Sequence, residues 1–356
     1  MREMSRIPDL PAPPREFTIL GAGNWGLTLA CVLGKKGYPV RVWDHNFDRA
    51  LKTELERESQ EYLPGTKLPI TVGVGTEIGS LLTGVNTVLI ALPVPAIRGV
   101  LTEHRSQFVP GTLVVSLAKG IEYETGHRVS QIILDCLGPG FRDSIVVLCG
   151  PNLAPETVRE SPTSSVVAGP NEEACRQVQQ DLSTPYFRLY TSSDVVGVEL
   201  GGALKNIVAI ACGIVDELGL GNNSRGALMT RGLAEITRLG AALGADPMTF
   251  LGLSGMGDLV ATCTSELSRN HSVGRLLARG LSLEEIRTRM RMVAEGINTT
   301  RSALKLARQV GVALPITEEI GSILFDRKEP RQAIRDLMLR ELKRETEYTL
   351  KGATSP

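Results

Sequence analysis

Lys205 is the residue whose position most needs a chemical reason. It lies in a stretch, residues 195–218, that is apolar on nearly every helical face, with Val198, Leu200, Leu204, Ile207, Val208 and Ile210 around it. That is the pattern of a buried helix. Three and four residues away stand Gly201, Gly202, Val208 and Ala209, so no carboxylate of its own helix can pair with it. Burial lowers the pKa of a lysine and turns it into a general acid or base, while Gly201 and Gly202 let a ligand come close. The competing reading is a structural lysine that snorkels or forms a salt bridge.

Gly21-Ala22-Gly23-Asn24-Trp25-Gly26 is a G-x-G-x-x-G between the apolar run Phe17–Leu20 and an apolar helical pattern. In that context Gly21 permits the tight turn, Gly23 lets backbone approach a pyrophosphate, and Gly26 lets helix and strand pack closely. A dinucleotide is expected. Asp44 ends the next strand, where a carboxylate bonds the adenosine ribose and repels a 2′-phosphate, which leans the choice toward NAD. Its neighbours His45 and Arg41 could instead tolerate NADP, and a plain surface turn is the competing reading. Lys119 and the segment Gly150-Pro151-Asn152-Leu153-Ala154 follow two further strands, at the carboxyl edge where open α/β sheets bind ligands. Either could also be an ordinary loop exit. Asp258 sits in a glycine-flanked turn, and Ser268-Arg269-Asn270 follows ten residues later. Arg269 presents a planar fork suited to phosphate or carboxylate, although the triplet could be only a polar helix start. Glu295 is a further charged residue in a short loop, and His271 reads either as a proton donor or, more commonly for such a residue, as a surface histidine.

These residues need two kinds of scaffold. From Phe17 to about Ser193 six short runs (FTIL, YPVRVW, TVLIAL, TLVVSL, SIVVLC, SSVVAG) alternate with helical stretches. Near-continuous apolar runs of this kind predict an α/β Rossmann domain, a doubly wound parallel sheet covered on both faces. After Ser193 helical segments follow one another over 194–218, 223–244, 272–279, 283–291, 299–310, 316–325 and 331–344, which predicts an all-α C-terminal domain. The expected division is a tail over 1–15, the dinucleotide-binding domain over 16–193, a helical substrate domain over 194–346 and a tail over 347–356.

Composition narrows the function. Lys plus Arg number 39 against 39 Asp plus Glu, so no surplus positive charge supports nucleic-acid binding. No run approaches the roughly 18 uninterrupted apolar residues that predict a membrane span. The N-terminal stretch carries prolines and no apolar core, unlike a secretory signal. Six scattered cysteines without a C-x-x-C pair suit reduced thiols in a cytoplasm, and neither they nor the four histidines have metal-ligand spacing, so no metal is expected.

In their order along the chain, GAGNWG, SLAKGIE, CGPNLA, VELGGALKNIVAIACGI, LGLSGMGDLVATCTSELSRN and MVAEGINTT resemble the NAD(P)-dependent sn-glycerol-3-phosphate dehydrogenase family, over residues 17–344. The resemblance implies reversible hydride transfer between NAD(P)H and C2 of dihydroxyacetone phosphate, giving glycerol 3-phosphate for phospholipid synthesis. It implies Lys205 as proton acceptor, with Lys119, Gly150, Asn152, Asp258, Ser268, Arg269 and Asn270 holding the substrate. Asn24, Trp25, His45, Lys119, Ala154, Arg269, Val293 and Glu295 match cofactor contacts. Two departures stand out. Many members read G-P-S-F-A where this chain has Gly150 to Ala154, and arginine is common where it has His45. On this reading Asp258 orients Lys205, and Lys119 lowers its pKa by repulsion. A cytoplasmic homodimer is expected from analogy of fold. The rival readings are a β-hydroxyacid or 6-phosphogluconate type dehydrogenase, which would act on a carboxylate substrate, and a non-catalytic nucleotide sensor, which has no use for Lys205.

Overall fold

The computed structural model describes residues 15–290, 294–342, 344 and 345. Among them eight strands form one sheet: β1 (Phe17–Leu20), β2 (Val40–Trp43), β3 (Val72–Gly75), β4 (Thr87–Ile90), β5 (Leu113–Ser116), β6 (Ile145–Cys149), β7 (Thr163–Ala168) and β8 (Phe187–Ser192). Their order is β3-β2-β1-β4-β5-β6-β7-β8. The first six run parallel, β7 is antiparallel to β6, and β8 is parallel to β7. The Rossmann architecture is as expected, but the sheet is mixed where the apolar runs suggested uniform direction. The reason lies in the connection. Between β6 and β7 the only helix is Ala154–Val158, five residues long. It rises about 7.5 Å, less than half of the roughly 17 Å that β6 spans, and cannot carry the chain back for a parallel return.

Two strands escaped the sequence reading, and both lie at the edges of the sheet. β3 reads Val-Gly-Val-Gly, and glycine offers little side chain to mark a strand. β8 alternates buried and exposed residues at its start, since one face meets solvent. Its outer edge is also capped. Thr184 donates its backbone N–H to the Phe187 carbonyl at 2.9 Å, and Gln179 Nε2 donates to the Leu189 carbonyl at 2.8 Å, which blunts pairing with another chain.

The helical part is organised around Val195–Glu217, in which residues 197–215 are all buried. This helix is long and apolar enough to cross a membrane, and it is wholly enclosed by the protein. The helices Gly221–Ala242, Asp258–Thr264, Arg269–Ala278 and Glu295–Val310 pack around it. Its crossing with Arg269–Ala278 is close because both helices present glycine. A Cβ at Gly213 would lie 2.0 Å from the His271 carbonyl oxygen, and one at Gly274 would lie 1.9 Å from that of Ile210. Asp258, expected within a glycine-flanked turn, instead opens the helix Asp258–Thr264, which continues directly from a π-helical turn, Leu253–Gly257. The last described helix, Pro330–Met338, ends short of the expected residue 344.

Candidate active site

The glycine-rich turn has the geometry its spacing requires. Gly21 has φ +117°, and a Cβ there would lie 2.6 Å from the Ala91 carbonyl oxygen. A Cβ at Gly26 would come within 2.0 Å of the Gly21 oxygen, so helix Asn24–Lys35 can approach β1 only through glycine. At Gly23 a Cβ would meet nothing within 4 Å. That open face beside a helix N-terminus suits a pyrophosphate. Asn24 and Trp25 open the helix, with Trp25 edge-on to Phe187 at 6.1 Å between ring centres.

Lys205 is buried, and its charge is answered from another helix. Lys205 Nζ donates to Asp258 Oδ1 at 2.5 Å and also to Thr262 Oγ1. The other carboxylate oxygen, Asp258 Oδ2, accepts from Lys119 Nζ at 2.8 Å. Lys119 further donates to the Gly150 carbonyl at 2.9 Å and to Asn152 Oδ1 at 2.8 Å. Asn152 in turn donates from Nδ2 to Ser165 Oγ at 3.3 Å. One buried carboxylate thus faces two ammonium groups. The two lysines respond in opposite directions. Burial pulls Lys205 below the usual lysine range, Asp258 opposes that, and the charge of Lys119 adds to the lowering. Burial also pulls on Lys119, but the attraction of Asp258, its hydrogen bond and the neighbouring Cys149 together outweigh it and leave Lys119 raised. Cys149 completes the floor, with Sγ 3.8 Å from Asp258 Oδ2, and burial pushes its thiol up to about 11, so it stays neutral.

Gly202 explains how the helix lies so near this floor. A Cβ there would sit 2.3 Å from Cys149 Sγ and 3.6 Å from Lys119 Cγ. Gly201 does the same on the other side, 2.7 Å from the Ser254 carbonyl oxygen.

A second group of residues rims the cleft. Glu295 opens helix Glu295–Val310 and accepts the Val94 backbone N–H at 3.3 Å. Burial raises its carboxyl, while that amide and Arg269 pull it back. Arg269 opens helix Arg269–Ala278 with an exposed side chain, and Glu295 and Tyr62 lie close enough to act on its charge. Its two neighbours are occupied in holding the helix. Ser268 is the N-cap, accepting the His271 N–H at 3.3 Å, and Asn270 Oδ1 accepts the Gly296 N–H at 3.0 Å. Ala154 is buried at the start of its short helix.

The comparisons with known proteins match this geometry. Residues 16–175 match the family described as NAD-dependent glycerol-3-phosphate dehydrogenase N-terminus, and residues 194–335 match its C-terminus. The chain belongs to that family. It is an NAD(P)-dependent dehydrogenase acting on a CH–OH group. The glycerol-3-phosphate dehydrogenase [NAD(P)+] of Geobacillus thermodenitrificans is 46% identical over 92% of this chain and 96% of its own length. That of Geobacter metallireducens is 46% identical over 92% and 98%. The crystal structure of glycerol-3-phosphate dehydrogenase from Coxiella burnetii superimposes with a TM-score of 0.88 at 34% identity, covering 92% of this chain and 99% of that one.

Within this dehydrogenase the structure does not gather every residue singled out from sequence. Asp44 is buried at the end of β2, with its carboxylate paired to Arg49. His45 is exposed, and Arg41 turns away to Glu16 and to the Thr83 carbonyl at 2.8 Å. His271 is not on the surface: it is buried, with Nε2 2.8 Å from Asp216 Oδ2, away from the lysine pair. Val293 lies outside the described residues. Conversely, Thr262 and Cys149 belong to the lysine cluster and were not foreseen. Thr262 was detectable in principle, standing four residues after Asp258 on one helix and hence on the same face. Cys149 carried no such signal, since its neighbours come from other elements. No group of His, Cys, Asp and Glu among the described residues could hold a metal.

Proposed function

We propose that this dehydrogenase interconverts dihydroxyacetone phosphate and glycerol 3-phosphate with Lys205 as the proton-exchanging group. The observation that carries the reading is the sharing of one buried carboxylate, Asp258, between Lys205 at 2.5 Å and Lys119 at 2.8 Å. In carbonyl reduction the ammonium of Lys205 donates a hydrogen bond to the substrate oxygen and then its proton, offsetting negative charge as it develops. In alcohol oxidation the neutral amine takes the hydroxyl proton, and its lowered pKa makes that form accessible. Lys119 remains charged beside it and stabilises the same oxygen. Asp258 orients both ammonium groups, with Thr262 fixing the Lys205 rotamer. Arg269 is the group suited to hold the substrate phosphate at the cleft mouth, so that remote binding energy positions C2.

The dinucleotide fits the cradle at Gly21, Gly23 and Gly26, with Glu295 and Arg269 at its other end. When bound, the nicotinamide supplies or accepts the hydride at C2. In the cell this reading makes the protein a cytoplasmic homodimer that provides glycerol 3-phosphate for phospholipids. Its support is the family membership.

The test is consumption of NADH and NADPH with dihydroxyacetone phosphate, in the native protein and in Lys205→Ala. Turnover should fall by about 10²–10⁴-fold in the variant while cofactor affinity is unchanged. Native turnover that does not require the substrate phosphate would point to a hydroxyacid dehydrogenase instead. Cofactor binding without turnover on any triose phosphate would point to a nucleotide sensor.

A further inference from the structure

Lys119 and Lys205 reach Asp258 from two different parts of the molecule. Lys119 follows β5 in the sheet-bearing part, while Lys205 and Asp258 stand on helices of the other. Their hydrogen bonds, 2.8 and 2.5 Å long, survive only while the segment that carries Lys119 is held against the helix that carries Lys205. A displacement of about 1 Å takes such a contact beyond hydrogen-bond range, and misplacement on that scale costs a reaction about 10²-fold. Lysine side chains are flexible, so the backbone behind them has to be fixed.

Glu199 is built into that fixing. It lies on the helix of Lys205, six residues and about 9 Å earlier, and its side chain is 5% exposed. Neither carboxylate oxygen is idle. Oε1 accepts the Ser130 backbone N–H at 2.7 Å, while Oε2 accepts from Ser130 Oγ at 2.6 Å and from Arg128 Nη1. Ser130 stands in the first turn of helix Val129–Leu137, where the N–H groups lack partners within the helix, so the carboxylate also meets the positive end of that helix. Like the Lys119–Asp258 pair, this buried ion pair joins the sheet-bearing part to the helical one. Arg128 then leads to Lys119. It forms an antiparallel bridge with Ile121, and Glu122 donates its N–H to the His127 carbonyl at 3.0 Å. Residues 121–128 are therefore a loop closed at its base, and Lys119 enters that base two residues before Ile121. From the helical part Ser302 Oγ donates to the Ile121 carbonyl at 3.0 Å. Through Arg128 the backbone beside Lys119 is thus tied to the helix that carries Lys205.

We propose that Glu199 is a positioning residue for the reaction: by holding Arg128 and Ser130 it fixes Lys119 against Asp258, and so sets the charge that Lys205 feels. The inference rests on the reading of Lys205 as the proton-exchanging group. A Lys205→Ala protein that keeps its turnover removes that reading and the proposal with it, whereas the Glu199 variants fail the proposal alone.

The test is the pH profile of glycerol 3-phosphate oxidation by the full chain, followed as NAD(P)H formation. Glu199→Gln keeps an acceptor for the Ser130 N–H and loses the charge that holds Arg128. Its kcat should fall about 10–10²-fold, while NADH affinity, titrated without substrate, holds within about twofold. The pH at which oxidation switches on should move up, because Lys119 slackens from Asp258, which then serves Lys205 alone and favours its charged form. The titratable groups acting on Lys205 include Asp258, Lys119, Cys149 and Cys263. Loss of the negative charge of Glu199, felt directly, would move the inflection down, so an upward shift reports Lys119. Glu199→Asp keeps the charge but is one methylene too short to reach Arg128 and Ser130 together. It should shift the inflection up as well, and it answers the question should Glu199→Gln fail to fold. Added to Lys119→Met, where no cation is left to misplace, Glu199→Asp should cost less than about twofold in kcat. A purely structural glutamate lowers the profile without moving its inflection. An inflection that stays put or moves down in Glu199→Asp overturns the proposal, as does a loss that adds in full to that of Lys119→Met.

Discussion

Replacing Asp258 by Asn probes the lysine pair most directly, because the change is nearly isosteric and removes one charge from between two others. Asp258 lies 2.5 Å from Lys205 Nζ and 2.8 Å from Lys119 Nζ. At an effective dielectric constant of about 20, each contact represents about 6 kcal/mol of gross attraction. Much of that is offset by desolvation, and breaking a buried pair by removing one partner typically costs about 3–5 kcal/mol. In Asp258→Asn the two ammonium groups confront each other without a counter-charge. Lys205, already below the usual lysine range because it is buried, must be driven lower still. Three results follow. The variant should lose about 3–5 kcal/mol of stability near pH 6, and part of it should return as pH rises and Lys205 sheds its proton. Glycerol 3-phosphate oxidation should fall by about 10²–10³-fold, since the amine is no longer held in place. The pH at which that oxidation switches on should move down, because the neutral base forms earlier. Urea unfolding at several pH values and kcat/KM profiles of NAD(P)H formation give all three. General structural damage lowers the whole profile without moving its inflection. An inflection that stays put, or moves up, would refute the claim that Asp258 sets the protonation of Lys205.

Other expectations rest on single contacts. Asn152→Ala removes the Lys119 tether at 2.8 Å, and KM for dihydroxyacetone phosphate should rise about tenfold with cofactor affinity unchanged, as measured by steady-state kinetics and titration. Gly202→Ala puts a methyl 2.3 Å from Cys149 Sγ, and thermal unfolding should show about 1–3 kcal/mol of destabilisation that a second change, Cys149→Ala, partly recovers. Glu235 offers a pH test of the helical domain. Burial pushes it up to about 7 from 4.5, against the pull of the Ile316 and Thr317 amides. A carboxyl that binds its proton more tightly when folded stabilises fully below about 4.5 and loses that contribution as pH rises through about 7, about 3 kcal/mol in all. Urea midpoints should therefore fall over that window in the native protein and stay flatter in Glu235→Gln.

What the sequence alone determined are the features set by neighbours in the chain. A glycine-rich turn between an apolar strand and an apolar helix fixes where a dinucleotide sits, because the φ of Gly21 and the missing Cβ of Gly26 act over a few residues. An apolar helix that admits one lysine marks Lys205 in the same local way. Strand existence was legible where both faces are buried, and failed at the edges, β3 and β8, where that signal fades. The tertiary structure decided everything that depends on which distant charge arrives. Lys119 meets Asp258 across 139 positions and Lys205 meets it across 53, and only that meeting sets two ammonium groups on one buried carboxylate. At β2 the same physics applies: Asp44 read alone is a lone carboxylate at the end of a strand, but Arg49 closes on it from the next helix. Spacing reports where a charged group stands in the chain, whereas its chemistry is set by the few ångströms around it, and folding supplies those.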